Sequence, residues 1–137
     1  MYRKRTSTPP AAQNTDVPEL DVRADLNRAT LVCLIRQQAM RFGSDRRVAV
    51  NARPAVLIRA RDNFIFVLPS TTHDMANRPQ FYALHKADVM WKKPEKARDS
   101  FVFHRYATVH RDDVVGALGM LYPAAQLAIV NWLRSRY

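Results

Sequence analysis

The sequence predicts a mainly β fold that ends in helices. Three observations predict it. Two apolar runs, Ala55–Ile58 and Phe64–Leu68, flank a turn-forming stretch; further short extended segments continue to Val109; and helix signals gather at the C-terminal end. At 137 residues, with 47% apolar residues, the chain is sized for one domain that can bury a core without disulfides. Its one cysteine, Cys33, has no internal partner to pair with.

Taken in order, residues 1–24 combine Pro9, Pro10 and Pro18 with four cations and three anions and read as a flexible tail. Residues 25–137 form the domain. Thr30–Ile35 is a short apolar run that suits a buried strand, although the same run can begin a helix through Met40 to Gly43, because periodicity does not separate the two. The clearest element is a hairpin between Pro54 and Pro69, with Asp62 and Asn63 as its turn. Its strands are nearly continuous apolar runs. That implies burial on both faces, as in a strongly bent small barrel or beneath a helix. Residues 70–80 are a polar loop, Phe81–Leu84 a strand and Lys92–Arg98 a basic loop. Ser100–His104 and Tyr106–Val109 are extended. Asp112 is placed to cap a helix through Val114, Val115, Leu118 and Leu121. Pro123 starts a final helix with Leu127, Ile129, Val130 and Leu133 on its apolar face.

The charge is the strongest functional signal. There are 22 Lys and Arg against 12 Asp and Glu, a net charge of +10, and 17 of the cations are arginines. Guanidinium binds phosphate through two donors at once, so a polyanionic partner is expected, with binding that weakens as salt rises. The four histidines are scattered and Cys33 stands alone, so no metal site is expected. Gly43, Gly116 and Gly119 cannot form a Gly-rich phosphate cradle, and no cofactor is expected. No apolar run approaches a membrane span, so the expectation is a cytoplasmic protein without membrane contact. Phosphate must then be held by side chains. Arg53 enters one hairpin strand, and Ser70, Thr71 and Thr72 lie at the exit of its partner. A hairpin brings these ends together, and a guanidinium beside hydroxyls can stabilise charge on a phosphodiester.

At these residues the chain resembles the PemK/MazF family of toxins, whose members carry Arg-Pro before an apolar strand and later Pro-x-Thr-Ser/Thr. Arg53-Pro54 and Pro69-Ser70-Thr71-Thr72 are similar to those motifs. The likeness continues in order through Ser100-Phe101-Val102, Thr108-Val109 and Val115–Leu121, covering roughly residues 30–135. The resemblance implies a small SH3-like antiparallel barrel that forms a homodimer, cleaves single-stranded RNA without metal and is neutralised by an acidic antitoxin. In that pattern the substrate's 2'-hydroxyl attacks the adjacent phosphate. Arg53 and Thr71 are then the catalytic pair, and Ser70, Thr72, Arg78, Lys92, Lys93 and Arg105 are substrate contacts. His104 is a possible acid or base.

The chain departs from the family in three places. Ala29-Thr30 stand where the opening strand usually begins Gly-Asp, residues 36–51 replace its Gly- and Glu-bearing loop, and Arg105-Tyr106 stand where Asp-Gln is common. A missing carboxylate suits a second reading. In it the barrel has lost cleavage and works by binding RNA, an acidic protein, or a topoisomerase as the related CcdB toxins do; Lys92, Lys93, Lys96, Arg98 and Arg105 supply the charge. The first reading is preferred because the arginine and the threonine are both present.

Overall fold

The computed structural model describes residues 18–26, 29–40 and 52–137. Residues 1–17 of the expected tail and residues 41–51 of the departing 36–51 segment lie outside them. Eight strands make one antiparallel sheet: β1 (Leu31–Arg36), β2 (Ala52–Arg61), β3 (Phe64–Thr71), β4 (Phe81–Leu84), β5 (Val89–Trp91), β6 (Ser100–Phe103), β7 (Ala107–His110) and β8 (Val114–Leu121). One-turn helices α1 (Val22–Asp25) and α2 (Gln37–Met40) flank β1, and α3 (Pro123–Arg136) closes the chain.

The strand order is β4-β6-β3-β2-β1-β8-β5, with β7 paired to β3 beyond the end of β6. β4 and β5 therefore sit on opposite edges of the path yet are joined only by residues 85–88, which form a 3-10 turn. That short link holds the two edges near each other and curls the sheet. His85 N–H donates to Asp88 Oδ2 at 3.0 Å and Asp88 N–H to His85 O at 2.9 Å, which fixes the link.

The hairpin forms as expected. Asp62 turns the corner at φ 55, a left-handed conformation that aspartate tolerates better than most residues. The β2–β3 register shifts between Leu57 and Arg59, a bulge that bends the strand pair. The apolar run at residue 31 is a strand, fixed by pairing to β2 on one side and β8 on the other; the chain turns helical only from Gln37.

The uninterrupted apolar runs are explained by two cores, one on each face of the sheet. On one face Val32, Val56, Ile58, Phe66, Leu68, Val102 and Leu121 pack with Ala125, Ile129, Val130 and Leu133 of α3. On the other, Cys33, Ile35, Ala55, Ile65, Val67 and Val109 pack with Met40 of α2. Alternate residues of β1, β2 and β3 feed alternate clusters, as a pleated strand requires. Burial raises the Cys33 thiol above its ordinary range.

Four sequence expectations are corrected. Val114–Leu121 is a strand, not an Asp112-capped helix, because it fills the gap between β1 and β5 and its β-branched Val114 and Val115 suit a pleated surface. Asp112 sits in a 3-10 turn instead. Only one helix follows, and Leu127 is 62% exposed, because at 100° per residue it lies about 200° from Ala125 and from Ile129, which are buried. Finally, the ordered structure begins before residue 25: Leu20, Val22 and Leu26 belong to the first core, and Leu20 N–H donates to Tyr106 Oη at 3.1 Å.

The two glycines of β8 differ sharply. A Cβ on Gly119 would fall 2.5 Å from Met90 O and 2.8 Å from Val89 Cγ1, whereas one on Gly116 would meet nothing within 4 Å. Gly119→Ala is therefore expected to lower unfolding free energy by about 1–3 kcal/mol. Gly116→Ala should leave it within about 0.5 kcal/mol. Urea unfolding of the two variants checks the contrast.

Candidate nucleic-acid interface

Strand polarity gathers several of the expected residues at one rim of the curled sheet. β1 and β3 end there, and β2 begins there. Ala55 pairs with Pro69; continuing that register sets Pro54 opposite Ser70 and Arg53 opposite Thr71. Ser70 Oγ donates to Pro54 O at 3.0 Å, which pins the two strands together just below the rim. Arg53 also pairs with Ile35 of β1, and Thr71 with Phe101 of β6. Directly opposed residues share a face, so Ile35, Arg53, Thr71 and Phe101 form one cross-strand row on the side of the second core.

Within that row the groups differ in access. Arg53 is half-buried, while Thr71 is 5% exposed, and its Oγ1 accepts the His73 N–H at 3.2 Å. That bond makes residues 71–73 a side-chain-closed turn. The hydroxyl keeps its own proton to donate, though Thr71 offers little surface to a ligand. Ser70 is 1% exposed and spends its hydroxyl on Pro54, so its part is structural and it is not a substrate contact. Thr72 is exposed beside them. His73, exposed and tied through its backbone to Thr71, is an imidazole at the rim that the motif reading passed over; its place two residues beyond Thr71 was the available signal.

Lys92 and Lys93 follow β5 and lie beside β8, two strands away from β2. With Lys96 they border a cavity of about 370 Å³ whose remaining walls are Leu34, Gly116, Ala117 and Leu118. Leu34 pairs with Pro54 and alternates with Ile35, so the cavity and Arg53 lie on opposite faces of the same strand ends. An exposed Arg36–Asp113 ion pair at 3.9 Å lies between β1 and β8 at this end.

The other expected residues are not part of the rim. His104 lies three residues beyond Phe101, roughly 10 Å down β6 from the row that holds Thr71. Its N–H donates to Gln80 O at 3.1 Å, its carbonyl accepts from Tyr137 Oη at 3.1 Å, and its ring meets Phe103 edge-on at 4.8 Å. Burial, then the charges of Arg136 and Arg105, hold its pKa below 6.5. Arg105 is exposed next to it. Arg78 lies in the turn that leads into β4, whose first residue, Phe81, pairs with Phe103. Arg78, His104 and Arg105 thus belong to a separate region near the C-terminal end of α3, so His104 cannot exchange protons with the Arg53–Thr71 pair.

Among the described residues no three of His, Cys, Asp and Glu converge as metal ligands do, and no helix is long and apolar enough to cross a membrane. No protein-family model matches the chain, and no curated protein matches it either.

Ser70→Ala removes the donor to a carbonyl in a closed strand pair and is expected to cost about 1–3 kcal/mol, against less than about 0.5 kcal/mol for Thr72→Ala. Chemical denaturation reads both. A second expectation concerns pH. The folded state disfavours protonated His104, so its stabilising contribution is complete above 6.5 and is lost as pH falls from 6.5 through the lowered folded value. His104→Gln should flatten the acid side of the stability–pH curve, measured as melting temperature between about pH 7 and pH 5.

Proposed function

We propose that this protein is an RNA-directed β barrel of the PemK/MazF type, cleaving single-stranded RNA at the Arg53–Thr71 rim by attack of the substrate's own 2'-hydroxyl. The observation that supports this reading is the β2–β3 register, which reaches Ala55–Pro69 and when continued sets Arg53 opposite Thr71, together with the Ser70–Pro54 bond one step beyond the last pair. In the reaction the 2'-oxygen bonds to phosphorus, the bond to the 5'-oxygen breaks, one proton leaves the attacking hydroxyl and another reaches the departing oxygen. Arg53 stabilises the charge that builds on the phosphate oxygens. The exposed imidazole of His73 is the proton carrier nearest in the chain to Thr71. Homodimer formation in the cytoplasm and neutralisation by an acidic antitoxin belong to the same proposal. An apolar cross-strand pair, Met90 and Met120, 55% and 51% exposed, supports a second copy as a neighbour.

One observation favours the second reading, a barrel that binds RNA or an acidic protein without cutting. Thr71 is closed into its own turn, and no carboxylate stands across from it in the row described above. The two readings part in a single assay. Long single-stranded RNA incubated with the full-length protein in EDTA should give discrete fragments ending in cyclic phosphate, and Arg53→Ala should abolish them with little change in melting temperature. Intact RNA that is nevertheless bound at protein excess assigns the barrel to binding.

A further inference from the structure

We propose that the cavity between the basic loop and β8 is a pocket for one nucleotide of single-stranded RNA, with the base against its apolar wall and the flanking phosphates on Lys92, Lys93 and Lys96. The inference rests on RNA as the partner but not on cleavage. The pocket has two chemically distinct sides. Leu34, Ala117 and Leu118 give an apolar wall, and three lysines border it. A bare anion would use only the lysines; a nucleotide uses both.

The lysines stand on an ordered loop. Lys92 N–H donates to Leu118 O at 2.9 Å, joining the loop to β8. Lys96 N–H donates to Lys93 O at 2.8 Å and Ala97 N–H to Pro94 O at 3.1 Å, closing the turn. Glu95 is the one acidic residue in that turn, against Lys92, Lys93, Lys96 and Arg98, so the loop is basic, and Arg98 Nη1 donates to the Glu95 backbone carbonyl at 3.4 Å. Lysine acts as a point charge, which suits phosphates whose orientation varies along a flexible strand. Leu34, Gly116, Ala117 and Leu118 bring no side-chain hydrogen-bonding group, so that wall selects a flat apolar face over any particular base. The volume, about 370 Å³, lies at the small end of the range for ligand pockets, where a mononucleotide fits.

Gly116 supplies the test. Gly116 lines the cavity opposite Leu34, whose face it shares, and a Cβ there meets nothing within 4 Å, so Gly116→Phe is the variant that should fill the pocket while Gly116→Ala leaves room. The full-length protein is titrated by calorimetry with the four ribonucleoside 5'-monophosphates, ribose 5-phosphate and inorganic phosphate. The nucleotides should bind at least roughly tenfold more tightly than ribose 5-phosphate. Gly116→Phe and Lys92→Gln/Lys93→Gln/Lys96→Gln should each weaken nucleotide binding by about tenfold or more, with Gly116→Ala unchanged. Nucleotides binding no better than ribose 5-phosphate, or binding that survives Gly116→Phe in a folded protein, overturns the pocket. RNA cleavage with no nucleotide binding removes this inference alone. Nucleotide binding without cleavage keeps it and removes the nuclease.

Discussion

The structure depends on one strand, β3, being paired along both edges and buried on both faces. β2 pairs with one edge; β7 and then β6 share the other, the first along Phe64–Val67 and the second at Ser70 and Thr71. Between them the chain carries the extra residues of 104–106, so β6 and β7 diverge and the sheet bends there. Because neighbouring residues of β3 point into different cores, a slip of one position would put Phe66 and Val67 into each other's environments. The register is therefore strongly fixed. The rim continues from that fixed register: beyond Ala55–Pro69 the Ser70–Pro54 bond still ties the two strands, which sets Arg53 and Thr71, distant in sequence, toward the same end.

The same constraint explains how the charge is used. With both sheet faces occupied by apolar packing, most cations among the described residues fall at strand ends, in loops and near helix termini, Arg59 at the β2 bulge being an exception, and they divide into groups. Arg53 is at the rim on the second-core side, the three lysines are in the loop after β5, beside β8, and Arg78, Arg105 and Arg136 lie toward the far end of the β4–β6 pair. Positive charge therefore stands both at the start of β2 and beyond β8. That arrangement suits a polyanion whose phosphates recur at regular spacing better than it suits a single small anion.

Much of the fold was legible in the residues, and the reasons are local. Asp62-Asn63 between two apolar runs specifies a hairpin, and runs without alternation specify two-sided burial. Val114–Leu121 was misread because apolar residues at 114, 115, 118 and 121 fit a helical period; the strand is decided by partners β1 and β5 and by the close approach of Met90 to Gly119, neither visible along the chain. Ser70 was misread for a related reason, since a serine beside a threonine gives no sign of which hydroxyl will be spent on a neighbouring strand. The Arg53–Thr71 juxtaposition followed from hairpin geometry alone. The lysine-bordered cavity did not, because its walls come from β1, β8 and the loop after β5, elements distant in sequence that only strand pairing brings together.

The central claim is that β2 and β3 remain paired to the rim, with Arg53 opposite Thr71. Proton NMR tests it most directly, through nuclear Overhauser contacts between backbone protons of these two residues in the full-length protein. The account predicts a direct cross-strand contact between Arg53 and Thr71, continuing the Ala55–Pro69 ladder. Contacts from Arg53 to a different residue of β3, or none beyond Ala55, would contradict it.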